Sequence, residues 1–266
     1  ENAEKKAETI TIKDGSFSTL SSIVYLAENC TYTLNSNVDD AETVVFNGKG
    51  TLDLNGKTVT TAFAEGSETN HQYAFDNKGE LTIKDSVGKG EIFARGNFNY
   101  GKMTLESGTI YAFDCNGGYG IRNYEGAEFV MNGGAIIANN EEDHQVDKGG
   151  NDATTLRVDE GATATINGGI INNISDYTFA IENHGTTTVN DGTVTSVHTT
   201  VANYGTITLK GGSFTCNGLE GITAHALWAA DGTTTINGGT FDGKDNYNGF
   251  NVDASEGATV YIKGGK

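Results

Sequence analysis

Five residues hold equivalent places in the chain and could carry recognition chemistry. Lys78, Tyr100, Tyr124, His184 and Tyr204 each follow an asparagine (Asn77, Asn99, Asn123, Asn183 and Asn203) in an Asn-x-Gly or similar turn. If successive turns stack, Tyr100, Tyr124, His184 and Tyr204 line up as an aromatic edge. Such an edge could hold a glycan, with an apolar ring face against the C–H face of a sugar. The same rings could instead stack on one another and stiffen the corner. The asparagines before them read as structural in either case, a ladder of amides.

A second group is acidic. The segment NNEEDHQVDKGGNDATT, residues 139–155, concentrates Glu141, Glu142, Asp143, Asp147 and Asp152 around His144. Carboxylate oxygens in that number are the hard ligands that calcium takes. Neither an EF-hand loop nor a Gly-Gly-x-Gly-x-Asp pattern is present, and a solvated loop accounts for the same residues. Cys30, Cys115 and Cys216 lie 85 and 101 residues apart, which is neither a metal spacing nor a disulfide framework. They read as small buried hydrophobes.

All of these residues sit on a repeat, and the repeat must position them. Its clearest copies are GAEFVMNGGAI from Gly126, GATATINGGII from Gly161, GTTTVNDGTV from Gly185, GTITLKGGSF from Gly205, GTTTINGGTF from Gly232 and GATVYIKGG from Gly257. The glycine closing each copy falls at Gly108, Gly134, Gly169, Gly192, Gly212, Gly239 and Gly265, at intervals of 26, 35, 23, 20, 27 and 26 residues. A period in the twenties with variable insertions marks a solenoid. Within a copy the alternation is two, so Thr234 and Ile236 share one face and Thr233 and Thr235 the other. The same rule predicts inward pairs Ala164/Ile166, Thr187/Val189, Ile207/Leu209 and Val260/Ile262.

The chain has 37 glycines and no proline among 266 residues, where roughly 13 prolines would be usual. A parallel solenoid explains both counts. Every strand is flanked on two sides and needs its N–H groups, and glycine supplies the positive-φ corners. Three short strands per turn resemble the right-handed parallel β-helix of the pectate-lyase-like superfamily, over about Thr9 to Gly265. TLDLNGKT and TTTINGGTF look especially like β-helical segments of large bacterial surface proteins. The expected fold is all-β, with about 10–11 coils in one domain spanning residues 1–266. Residues 1–15 would form a cap and first strand, and 139–155 a long loop insertion. The final KGGK stops just past a turn, which predicts that the natural chain continues.

The resemblance raises catalysis, since many of its members cut polysaccharides. A lyase of this kind needs a basic residue beside a substrate carboxylate, and the arginine pair flanking a proline cannot occur here. The hydrolase signatures are missing too, Asn183-His184-Gly185 being the nearest echo. The outward pairs Thr163/Thr165, Thr186/Thr188, Thr206/Thr208 and Thr233/Thr235 resemble the ice-binding faces of some β-helical antifreeze proteins. Lys102, Glu128 and Tyr261 interrupt that face, and threonine is an ordinary outward strand residue. Trp228 reads as a coil-packing residue.

The net charge of −18, from 17 basic and 35 acidic residues, argues against nucleic acid and anionic membrane surfaces as partners. No apolar run is long enough to span a bilayer. The expectation is an extracellular or cell-surface adhesion module, without a cofactor unless calcium, whose partner is a glycan or a protein. The alternatives are a polysaccharide lyase or hydrolase with an atypical site, and a virion fibre or tailspike-like protein.

Overall fold

Alternating inward and outward residues, broken by a turn every few positions, must close on themselves to bury one face. A computed structural model describes residues 30–63, 71–113, 118–139, 153–174, 178–218, 223–244 and 249–266, and the backbone of 15–17. It is a right-handed parallel β-helix of three parallel sheets. Sheet I has 11 strands, from Gly15–Phe17 and Cys30–Leu34 to Thr233–Ile236 and Thr259–Ile262. Sheet II runs from Val38–Ala41 to Thr240–Asp242 and sheet III from Val44–Phe46 to Gly249–Ala254, with nine strands each. The chain passes I, II, III and back to I, one coil per repeat. The three-strand coil read from the sequence is therefore the coil observed.

The inward column of sheet I shows why the period is so legible. Leu81, Met103, Phe129, Ala164, Thr187, Ile207 and Thr234 meet in register, coil on coil, and all are buried. One apolar cluster runs through the interior from Cys30 to Phe241. Each coil thus buries its inner face only against its neighbours, at about 25 cal/mol per Å² of apolar surface. In the last strand Ile262 points the same way as Ile236, yet it is 67% exposed because a strand covers it on one side only. Cys30 and Cys216 are buried, as expected; Cys115 lies outside the described residues.

The corners differ from the expectation that glycine serves each one through positive φ. That holds from sheet I to sheet II, where Gly108, Gly134, Gly169, Gly192, Gly212, Gly239 and Gly265 all have φ between 73° and 128°. Most glycines of the Asn-x-Gly corner, from sheet III to sheet I, are needed for another reason. A Cβ on Gly101 would stand 2.2 Å from the carbonyl oxygen of Gly79, and one on Gly205 2.4 Å from that of Gly185. Here the coils approach too closely for any side chain. The corner from sheet II to sheet III has no glycine column and takes the variable lengths. The insertion 139–155 enters there, and so does a shorter one, 63–72 (FAEGSETNHQ). Most of both, and residues 1–14 of the expected cap and first strand (1–15), lie outside the described residues.

Candidate functional site

The Asn-x-Gly corner is held from inside. Asn77 Nδ2 donates to Asn99 Oδ1 at 2.6 Å, and Asn99 Nδ2 donates to Asn123 Oδ1 at 2.6 Å. Val158 then occupies the ladder position, and the amide chain resumes with Asn183 donating to Asn203 at 2.7 Å. All five asparagines are fully buried. Each residue that follows is thereby fixed at the outer lip of the corner.

The rings do meet there. Tyr100 and Tyr124 stack with centroids 4.3 Å apart and planes 12° from parallel; His184 and Tyr204 stack at 4.6 Å and 2°. These separations match the spacing of adjacent coils, so the ring normals run along the helix axis. Each pair therefore covers one face of each ring. What points outward is ring edge and polar tip, so of the two arrangements open to these residues the mutual stack is the one formed. Lys78 turns aside to Asp76, at 3.5 Å.

The rest of the outward face of sheet III carries groups that the turn residues alone did not reveal. Arg122, Arg157 and Glu182 stand in consecutive coils, each immediately before the ladder position. Arg122 Nε donates to Asp159 Oδ2 at 2.9 Å and Arg157 Nε to Asp159 Oδ1 at 2.7 Å. Arg157 also donates from Nη1 to Glu182 Oε1, which lies 2.9 Å from His184 Nε2. The guanidinium of Arg122 lies over two rings, 5.1 Å from the Tyr119 centroid and 4.5 Å from that of Tyr124. Arg95 lies over Tyr73, so all three arginines of the chain are on or beside this face.

The electrostatics follow from half-burial next to opposite charges. Burial and a hydrogen bond with Tyr100 push the Tyr124 hydroxyl up to about 12. Tyr204 is also raised, by burial and then by the Glu182 carboxylate. Burial alone would lower Arg122 and Arg157, but Asp159 outweighs it and both are raised. The two arginines thus stay charged, and Asp159 and Glu182 are both occupied as ion-pair partners.

Further along, Trp228 packs against neighbouring coils from the outer side of sheet III. It points outward, sets its edge 5.7 Å from Tyr204 and donates from Nε1 to Ser255 Oγ at 3.0 Å. His225 stacks on Phe250 at 5.4 Å, and burial lowers its pKa against a partial opposing effect of Asp253. Aromatic and cationic side chains thus continue along sheet III from Tyr73 to Phe250.

The candidate calcium ligands Glu141, Glu142, Asp143, Asp147 and Asp152 lie outside the described residues. Among those described, no group of three or more His, Cys, Asp or Glu side chains is placed to hold a metal ion. Likewise no described helix is long and apolar enough to cross a membrane. The missed residues had one usable signal, their place directly before the ladder position in GIRNYEG, TLRVDEG and AIENHG. Comparison with known proteins gives no matching family model, no similar curated protein and no similar solved structure.

Proposed function

We propose that this chain is a non-catalytic extracellular binding module that presents the outward face of sheet III to a glycan. The observation that carries the proposal is the gathering on one face of Arg122, Arg157, the single tryptophan and both stacked ring pairs, with Arg95 at its border. Stacked rings and paired guanidinium groups are rigid, so they lose little entropy when a ligand docks. Ring edges, phenol hydroxyls and the outer edge of Arg122 offer apolar and hydrogen-bonding contacts side by side, which suits a sugar.

Binding is favoured over bond cleavage by the state of the carboxylates. Asp159 is shared by two arginines, and Glu182 is held by Arg157 and His184. A general acid or base must be free to exchange a proton with its substrate. The coil plan supports placing the chain beside the pectate-lyase-like β-helices of bacterial surface proteins, where such a face would serve adhesion. The variable connections from sheet II to sheet III border this face and would shape its specificity.

The test is binding to a panel of immobilised neutral and acidic glycans, with Tyr204→Ala and Arg122→Ala beside the parent chain. Loss of a specific signal in both variants, with unchanged melting, supports the proposal. Unchanged binding in both removes it. Release of reducing or unsaturated ends from a polysaccharide would replace it with catalysis.

A further inference from the structure

The outward side of sheet I differs in kind from that of sheet III. In-register pairing places Lys49, Glu80, Lys102 and Glu128 in one column, in four successive coils. The signs alternate along the axis. Lys49 and Glu80 are 2.8 Å apart, Lys102 and Glu128 3.0 Å, and each side chain remains about half exposed (56, 51, 45 and 47%). The column then continues as Thr163, Thr186, Thr206, Thr233 and Thr259, without charge. The neighbouring outward column is Thr51, Thr82 and Thr104 beside the charged stretch.

Two properties follow. Within the strands of sheet I the charges cancel, with Lys49, Lys84 and Lys102 against Asp53, Glu80 and Glu128, whereas the whole chain carries −18. Two copies of so acidic a protein repel one another over most approaches, and this neutral face is where they can come together. The column is also self-complementary. Reversed, it reads Glu, Lys, Glu, Lys. A two-fold axis across the sheet, between the Glu80 and Lys102 strands, sets Lys49 of each copy against Glu128 of the other, and Glu80 against Lys102.

We infer that sheet I is a self-association surface, on which a second copy of this chain docks face to face with the two helix axes antiparallel. The contact is isologous, the same patch serving both copies. It spans up to eight strands at about 4.8 Å and three to four residues of each, roughly 1,000 Å² in total over both copies. That is the size of a weak, concentration-dependent interface. The pairs within each column account for its local stability only slightly, because exposed ion pairs contribute little. The dimer leaves both sheet III faces uncovered, so one particle would present two glycan-binding faces.

The experiment is sedimentation equilibrium at physiological ionic strength over a wide range of protein concentration. The parent chain is expected to move from monomer to dimer. K49E/K102E makes the column wholly acidic and E80K/E128K makes it wholly basic. Each alone is expected to stay monomeric, and a mixture of the two is expected to form a heterodimer. A four-fold exchange, K49E/E80K/K102E/E128K, keeps the alternating column within each chain and guards against misfolding of the other variants. It is expected to dimerise with itself and to fail to pair with the parent chain in a donor–acceptor fluorescence assay. A parent chain that stays monomeric throughout, or forms trimers, overturns the inference. So does an exchanged variant that pairs with the parent as well as with itself. An exchanged variant that folds but no longer self-associates overturns the antiparallel arrangement.

Discussion

Replacing Asn99 by alanine tests whether the buried amide ladder or the apolar column sets the stability of the corner that carries the aromatic residues. The Asn99 side chain makes four hydrogen bonds. It donates to Asn123 Oδ1 at 2.6 Å and to the Glu128 carbonyl at 2.9 Å, and it accepts from Asn77 Nδ2 at 2.6 Å and from the Gly101 amide at 3.3 Å. After truncation Asn77 keeps a bond to the Lys102 carbonyl at 2.9 Å. Asn123 Oδ1 and the Gly101 N–H lose the partner named here, in a place that water cannot easily reach. At about 1–3 kcal/mol for each such group, the cost is about 4 kcal/mol, with a further fraction from the small void. Tyr100→Ala, one residue away but 42% exposed, removes a ring stack worth about 0.5–1.5 kcal/mol and a partly exposed hydrogen bond to Tyr124 that adds little. Urea unfolding of both variants gives the comparison, and amide exchange near Gly101 and Lys102 shows whether the loss is local. Asn99→Ala within about 1 kcal/mol of the parent, or no worse than Tyr100→Ala, would refute the ladder's role.

Further outcomes follow from the same coordinates. Gly126→Ala places a Cβ in open space at φ 78° and is expected to cost about 1–2 kcal/mol, whereas Gly205→Ala, aimed at the Gly185 carbonyl, costs more in the same melt. Asp85 is pushed up by burial, but the amides of Gly90, Gly56, Val87 and Gly88 outweigh this and its folded pKa lies below 3.8. Its stabilisation is therefore complete above its unfolded pKa and is lost as the pH falls through the folded value. Asp85→Asn should accordingly be less stable at neutral pH and show a shallower acid limb in pH-dependent melting. Burial raises the Cys216 thiol, which donates to the His198 carbonyl at 2.8 Å. It should resist alkylation in the native state and react once urea unfolds the chain, as peptide mass mapping would show.

The parts of the fold written many times were legible, and the parts written once were not. Period two, the positive-φ glycine column and the buried asparagines each recur over several coils, so their spacing survives variation between copies. The link from Arg122 to Asp159 joins residues 37 apart across the longest coil, and only the observed register brings them together. In Ala224–Ala229 both Ala226 and Leu227 are buried, so the strand breaks its alternation, and Trp228 lies on the outer side next to Tyr204. Sheet III departs from simple alternation elsewhere as well, with a shift in register after Gly96 and a wholly buried Thr199–Asn203 strand. Of the two arrangements open to the corner rings, mutual stacking is the one adopted, because adjacent coils lie at stacking distance and rings with normals along the axis satisfy one another first.

An in-register parallel β-helix turns every outward position into a column with a repeat of about 4.8 Å, so chemistry on its surface is written in stripes rather than points. Interior columns are constrained to fit their neighbours above and below, and in sheet I they vary among Leu, Met, Ile, Val, Phe, Ala and Thr. Outward columns need only be compatible with a strand. Sheet I keeps its first outward stripe regular, with alternating charges and then threonine, which leaves a neutral surface. Sheet III breaks its stripes, setting Arg122, Arg157, Glu182, Ala202 and Trp228 in succession along a single column. A regular stripe can meet only a partner with the same repeat, such as a second copy. An irregular one has a different neighbourhood at each coil, which recognition of a non-repeating ligand requires.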